Sequence, residues 1–169
     1  MSDRAPNPAD LGMHGLAPHL VCKNAAAAID FYVKAFGATE LMRLPGPDGR
    51  LMHGSIKVNG CMVMLADEFG DVDEAHRNAA PPTLGGTCVM LHLQVDDCDA
   101  WAARAVAAGA KTIMPMADMF WGDRYGLIED PFGHRWSIAT TKGPPIMGEE
   151  LNAAMNSAMA EMNAGQTDG

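Results

Sequence analysis

A chain of 169 residues, 48% of them hydrophobic, is long enough for one domain with a core and too apolar for a disordered segment. Its net charge of −9 opposes phosphate backbones and anionic lipids, which sets nucleic acid and membrane surfaces aside as partners. No apolar run nears the roughly 20 residues that cross a bilayer, and Met1–Gly15 lacks the basic start and apolar stretch of a signal peptide, so a cytoplasmic protein is expected.

Residues 1–15 read as a flexible N-terminal tail. Leu16–Cys22 reads as a short buried strand, Asn24 as an N-cap, and Ala25–Phe36 as a helix ended by Gly37, with Ile29, Phe31, Tyr32 and Phe36 at helical spacing. Thr39–Leu44 is the next strand, and Pro45-Gly-Pro-Asp-Gly49 is a turn. Arg50–Val58 and Cys61–Ala66 flank Asn59-Gly60, a two-residue hairpin signal. This first module spans residues 16–66. A connector follows over residues 67–86, acidic and then rich in proline and glycine, and long enough to act as a flap.

The order repeats over residues 87–141. Cys88–Val95 is a strand, Asp97 a cap, Cys98–Ala108 a helix ended by Gly109, and Lys111–Met116 a strand. Trp121–Asp130 and His134–Thr140 form a hairpin around Pro131-Phe-Gly133. His19 and His92 stand 73 residues apart, as do Gly49 and Gly122, and Gly60 and Gly133. One offset held from strand to hairpin means an internal duplication, and matching positions in two half-sheets can converge on one pocket. Residues 142–169 change character: Glu149 and Glu150 precede a stripe of Leu151, Met155, Ala158, Met159 and Met162, an amphipathic helix ended by Gly165. Its methionines read as a packing face, on this domain or on a partner subunit. Cys22, Cys61, Cys88 and Cys98 form no C-x-x-C pair and read as reduced thiols packed as small apolar groups.

Ala-Ile-Asp-Phe-Tyr at 28–32 and Glu-Asp-Pro-Phe-Gly-His-Arg-Trp at 129–136, set in two βαβββ modules, resemble the vicinal oxygen chelate superfamily. Its members include glyoxalase I, extradiol dioxygenases, fosfomycin-resistance enzymes and bleomycin-binding proteins. Phe120-Trp-Gly-Asp-Arg-Tyr-Gly126 further resembles the glyoxalase/bleomycin-resistance-like branch. The resemblance implies an α+β fold, two tandem βαβββ modules forming a curved, partly open mixed sheet, here with an added C-terminal helix. It also implies a homodimer, since many relatives complete their pockets across a subunit interface. Catalytic members hold a divalent metal on the first and last strands of each module. Set against that pattern, the ligand positions fall on Ala17, on or beside Met64, on Met90 and on Ser137. None of these side chains replaces histidine or glutamate around a hard or borderline cation, so no cofactor is expected at the usual place.

His19 and His92 remain as candidate catalytic residues, each two residues beyond a vacated position and on the same strand face. They either line the pocket, as acid and base or around a displaced divalent metal with a third ligand such as His53, or bond within the sheet. His53, whose mate at the 73-residue offset is Gly126, is a pocket residue or a half-buried strand residue. Trp121 offers a stacking face at a strand mouth. Arg124 either binds an anionic oxygen or pairs with Asp123 or Glu129 to lock the hairpin. Trp101 and Trp136 read as core, and His134 as structural. The ligand pocket is thus assigned to His53, Met64, Met90, Trp121, Arg124 and Ser137, beside His19 and His92. This implies a small-molecule binder of the bleomycin-resistance type that sequesters a drug or toxic metabolite. The alternative is a metal-dependent lyase or isomerase with a non-standard ligand set including His19 and His92.

Overall fold

The computed structural model describes residues 8–13, 15–70, 78–144 and 146–164. The first module runs β1 (His19–Cys22), α1 (Ala25–Phe36), β2 (Thr39–Pro45), β3 (Leu51–Val58) and β4 (Cys61–Asp67). A short helix α2 (Pro81–Leu84) lies in the connector. The second module runs β5 (Met90–Gln94), α3 (Cys98–Ala107), β6 (Lys111–Asp118), β7 (Asp123–Glu129) and β8 (Arg135–Thr141), and α4 (Gly148–Ala164) closes the chain. Each module is an open four-stranded mixed sheet, in the order β1-β4-β3-β2 and β5-β8-β7-β6. The outer pairs are antiparallel, and the first and last strands of each module run parallel.

Matching chemistry builds both copies. Asn24 and Asp97, at the same place in the repeat, cap α1 and α3 by accepting from the amides of Ala27 and Ala100. The first helical amide of each copy donates to the end of its own last strand, Ala25 to Asp67 and Cys98 to Thr140. Asn59 (φ 45°) and Gly60 (φ 84°) both enter the left-handed region, the conformation a type I′ turn demands. Pro45 and Pro115 lie in β2 and β6, outer edge strands where a missing donor is tolerated and further pairing is discouraged.

Each module reaches the inner edge strand of the other, β5 or β1, from its hairpin. Asn59, at the tip of the first hairpin, donates to the Gln94 carbonyl of β5, and His134, just past the tip of the second, bonds the Val21 carbonyl of β1. Both helices cover the same side of the molecule and pack on each other. One core runs through both modules, with Ile29, Tyr32, Phe36, Ile56, Leu65, Ile128, Trp136 and Ile138 almost fully buried.

Several expectations need correction. Part of the N-terminal tail is docked: Pro8–Leu11 forms a 3₁₀ turn and the Gly12 carbonyl accepts from the Met62 amide. The connector is pinned on both sides of residues 71–77, which lie outside the described residues: the Asn78 side chain accepts from the Phe69 amide, and Glu68 accepts from Ala80. Only Cys22 and Cys98 are packed inside; Cys61 and Cys88 are exposed. Burial, aided by Asp130 and Asp67, pushes the Cys22 thiol well up. On α4, Met155 and Met159 are exposed, while Gly165 and the side chain of Met162 lie outside the described residues.

His134 gives the fold an acid sensitivity. Burial lowers its pKa below 6.5, against the opposing pull of Asp130 and of the Val21 carbonyl. The unfolded chain therefore takes up the proton first, so stability is full above pH 6.5 and declines as pH falls below it. Urea unfolding at about pH 7.5 and about pH 5.5 should show the loss, and His134→Gln should shrink it. His19, whose pKa is also lowered, supplies a remainder of the same sign. An unfolding midpoint that does not move between the two pH values would refute this.

Candidate functional site

Strand alternation divides each sheet into a helix side and an open side. Leu20, Ile56, Leu65, Leu93 and Ile138 enter the core. His19, His53, Ser55 and Met64 take the other side of the first sheet, and Met90, His92, Tyr125 and Ser137 the other side of the second. Gly54 is helix-facing: a Cβ there would meet the Ile29 side chain at 2.9 Å. Gly126 occupies its place in the second sheet, 72 residues on, because Gly54 pairs with Leu65 and Gly126 with Ile138. The structural mate of His53 is therefore Tyr125 and not Gly126.

On the first sheet His19 lies opposite Met64, and Met64 opposite Ser55. The rings of His19 and His53 meet edge-on with centroids 5.8 Å apart. Neither imidazole has a hydrogen-bond partner among the described residues. Burial, and then the charge of His53, holds the His19 pKa below the ordinary imidazole value. His19 also borders a cavity of about 340 Å³ beside the connector, with Val21, Leu84, Cys88, Val89 and Leu91.

On the second sheet every polar atom of the imidazole is engaged. His92 Nδ1 lies 2.8 Å from Ser137 Oγ, and Nε2 lies 3.1 Å from Gln94 Oε1. The Gln94 amide nitrogen donates to Thr141 Oγ1 at 2.8 Å, which turns its carbonyl oxygen toward His92. The network therefore assigns the proton to Nε2, leaving Nδ1 to accept from the Ser137 hydroxyl. Tyr125 stacks on His92 at 6.4 Å and Trp121 meets Tyr125 edge-on at 5.5 Å. Trp121 Nε1 is held by Asp123 at 3.1 Å. The result is a file of rings, Trp121–Tyr125–His92, ending on Ser137. Serine, histidine and glutamine in contact mimic nucleophile, base and orienter. Yet Ser137 is only 3% exposed, and a neutral amide cannot stabilise an imidazolium as a carboxylate does. The arrangement suits holding and orienting a ligand.

The expected site residues thus fall into two clusters, one per sheet: His19, His53 and Met64, and His92, Met90, Trp121 and Ser137. Arg124 joins neither. Alternation turns it away from Tyr125 toward α3, where it forms a bidentate pair with Asp99 and a 3.1 Å contact with Asp118. Asp99 first, then Asp118, raises its pKa. These are not the partners expected, Asp123 and Glu129. Tyr125 and Gln94 belong to the second cluster and were missed, although Gln94 follows His92 at the i+2 spacing that shares a strand face. Trp136 and Trp101 lie in or against the core as expected.

The positions at which the resemblance would place metal ligands, Ala17, on or beside Met64, Met90 and Ser137, supply no imidazole or carboxylate. The donor set does not fit a hard or borderline divalent cation.

Paired βαβββ modules with open sheets define the class, a fold that binds small molecules. The chain belongs to the Glyoxalase/Bleomycin resistance protein/Dioxygenase superfamily, whose model matches residues 13–138. The uncharacterized protein Rv0887c of Mycobacterium tuberculosis (strain ATCC 25618 / H37Rv) is 49% identical over 145 residues, covering 84% of this chain and 82% of that protein. TioX from Micromonospora sp. ML1 is similar in structure, with a TM-score of 0.58 and 30% identity over 75% of this chain and 99% of its own. The fosfomycin resistance protein FosX from Listeria monocytogenes, solved with Mn(II) and sulfate, shares the fold at a TM-score of 0.54 and 15% identity, over 75% of this chain and 92% of that one. Among the described residues no helix is long and apolar enough to cross a membrane.

Proposed function

We propose that this protein binds a planar, largely apolar small molecule on the open face of the second sheet and acts by sequestering a drug or toxic metabolite. The Trp121–Tyr125–His92 file carries the reading: it is a row of partly uncovered rings with one hydroxyl at its inner end and Met90, 47% exposed, at its side. A net charge of −9 favours a cationic ligand over an anionic one. A homodimer is part of the proposal. Met42 and Leu44 are 45% and 51% exposed on the open side of the first sheet, and a second copy would cover them as the ligand is enclosed. The compartment proposed is the cytoplasm. A metal-dependent lyase draws less support, because both ring nitrogens of His92 are already engaged.

The test is a titration with proflavine, a planar aromatic cation, followed by the probe's fluorescence. Trp121→Ala and Tyr125→Ala should each weaken binding about tenfold, the size of a lost ring–cation contact in a desolvated site. Affinity unchanged in both variants would sink the assignment of this face. Sedimentation of the unliganded protein as a monomer at micromolar concentration would remove the dimer.

A further inference from the structure

We infer that the open face of the first sheet is a binding site for a soft monovalent metal, cuprous copper, held by the imidazoles of His19 and His53 with the thioether of Met64 as third donor. The site lies within one module and is independent of the ring file on the second sheet.

The first support is the state of the two imidazoles. Elsewhere a histidine in contact with the fold is bonded: His92 to Ser137 and Gln94, His134 to the Val21 carbonyl. His19 and His53 stand ring to ring on one face, on the strands either side of β4, with no hydrogen-bond partner among the described residues. Two imidazoles side by side repel when protonated and gain nothing from each other's nitrogens, so the pair has no evident structural use.

The second support is distance. A metal–nitrogen bond of about 2 Å puts an imidazole centroid about 3.2 Å from the ion, so two rings on one ion lie about 5.5 Å apart in a trigonal site and about 6.4 Å in a linear one. The observed 5.8 Å falls between them. Ring contacts of ordinary packing span the same range, so distance permits the site and the unbonded nitrogens select it.

Third, the register supplies the remaining donor and the ion's identity. β4 runs between β1 and β3, and its Met64 is the direct neighbour of His19 on the shared face. Among the described residues no three His, Cys, Asp or Glu side chains gather to hold a metal, so a cation that demands carboxylate or thiolate is not served. Two neutral imidazoles and a thioether suit a soft, low-charge ion with a small coordination number.

The experiment uses the full chain carrying Cys61→Ser and Cys88→Ser, which removes the exposed thiols. It is titrated anaerobically with Cu(I) in competition with bicinchoninate. One equivalent should bind, and His19→Ala or His53→Ala should each weaken it about 100-fold or more, beyond what loss of an outer-sphere contact costs. Met64→Leu should weaken it by a smaller factor. Silver(I), a redox-inert substitute, should shift the ring C–H resonances of His19 and His53 in the folded protein. No uptake, uptake that survives the double histidine variant, Zn(II) bound as tightly as Cu(I), or silver shifts confined to other histidines would each overturn the site.

Discussion

Asp130→Ala is expected to lower the unfolding free energy by about 4–5 kcal/mol, a large part of what holds a domain of this size together. The carboxylate is 4% exposed and accepts from four donors. The Tyr32 hydroxyl reaches it at 2.6 Å, Trp136 Nε1 at 2.9 Å, and the amides of Phe132 and His134 at 2.9 Å each. Tyr32 comes from α1 and Trp136 from β8, so one side chain ties the first helix to the last strand across 98 residues of sequence. Alanine would leave these donors buried without partners, and the cost of stranding them exceeds the net worth of the bonds. Tyr32→Phe removes a single donor and leaves three, so about 1.5–2 kcal/mol is expected. In the Asp130→Ala background the same change should cost far less, because its partner has already gone. Urea unfolding of the four proteins measures both numbers. A loss under about 1 kcal/mol for Asp130→Ala would mean that water or rearrangement satisfies the donors.

Much of this was legible in the residues, and the misses share a cause. Caps, turns and helix ends are local chemistry: Asn24, Asp97, Gly37 and Asn59-Gly60 announce themselves within a few positions, and all sit where expected. The duplication was legible too, from offsets between glycines. Register was not. The offset drops from 73 to 72 between Gly122 and Gly126 and recovers by Gly133, a change no single pair of matched residues displays. It exchanged Gly126 for Tyr125 as the partner of His53 and hid the ring that links Trp121 to His92. Arg124 needed only alternation: two neighbours on a strand cannot face one pocket, and Trp121 with Tyr125 already claimed the open side. The different fates of His19 and His92 were beyond sequence, because they turn on which polar side chain stands alongside. Gln94 and Ser137 engage one ring, and among the described residues nothing comparable engages the other.

Phe36→Ala should cost about 3–5 kcal/mol, because it opens a cavity where the modules join rather than inside either one. Phe36 is 3% exposed and lies against Trp136 at 5.0 Å, Tyr32 at 5.9 Å and Trp101 at 6.0 Å, rings from both copies. The duplicated helices have diverged to make this joint. Where α1 carries Ile29, Tyr32 and Phe36, the second copy has Ala102, Ala105 and Gly109 at the same offset. A bulky helix beside a small one lets the pair approach closely, and it sends the first module's aromatics over the second module's sheet. Neither module is then expected to fold without the other, since each lacks half of the joint. Thermal unfolding of Phe36→Ala should stay a single transition at a lower temperature. Two transitions, one near the wild-type midpoint, would show that the modules hold their own structure and that the aromatic joint only docks them.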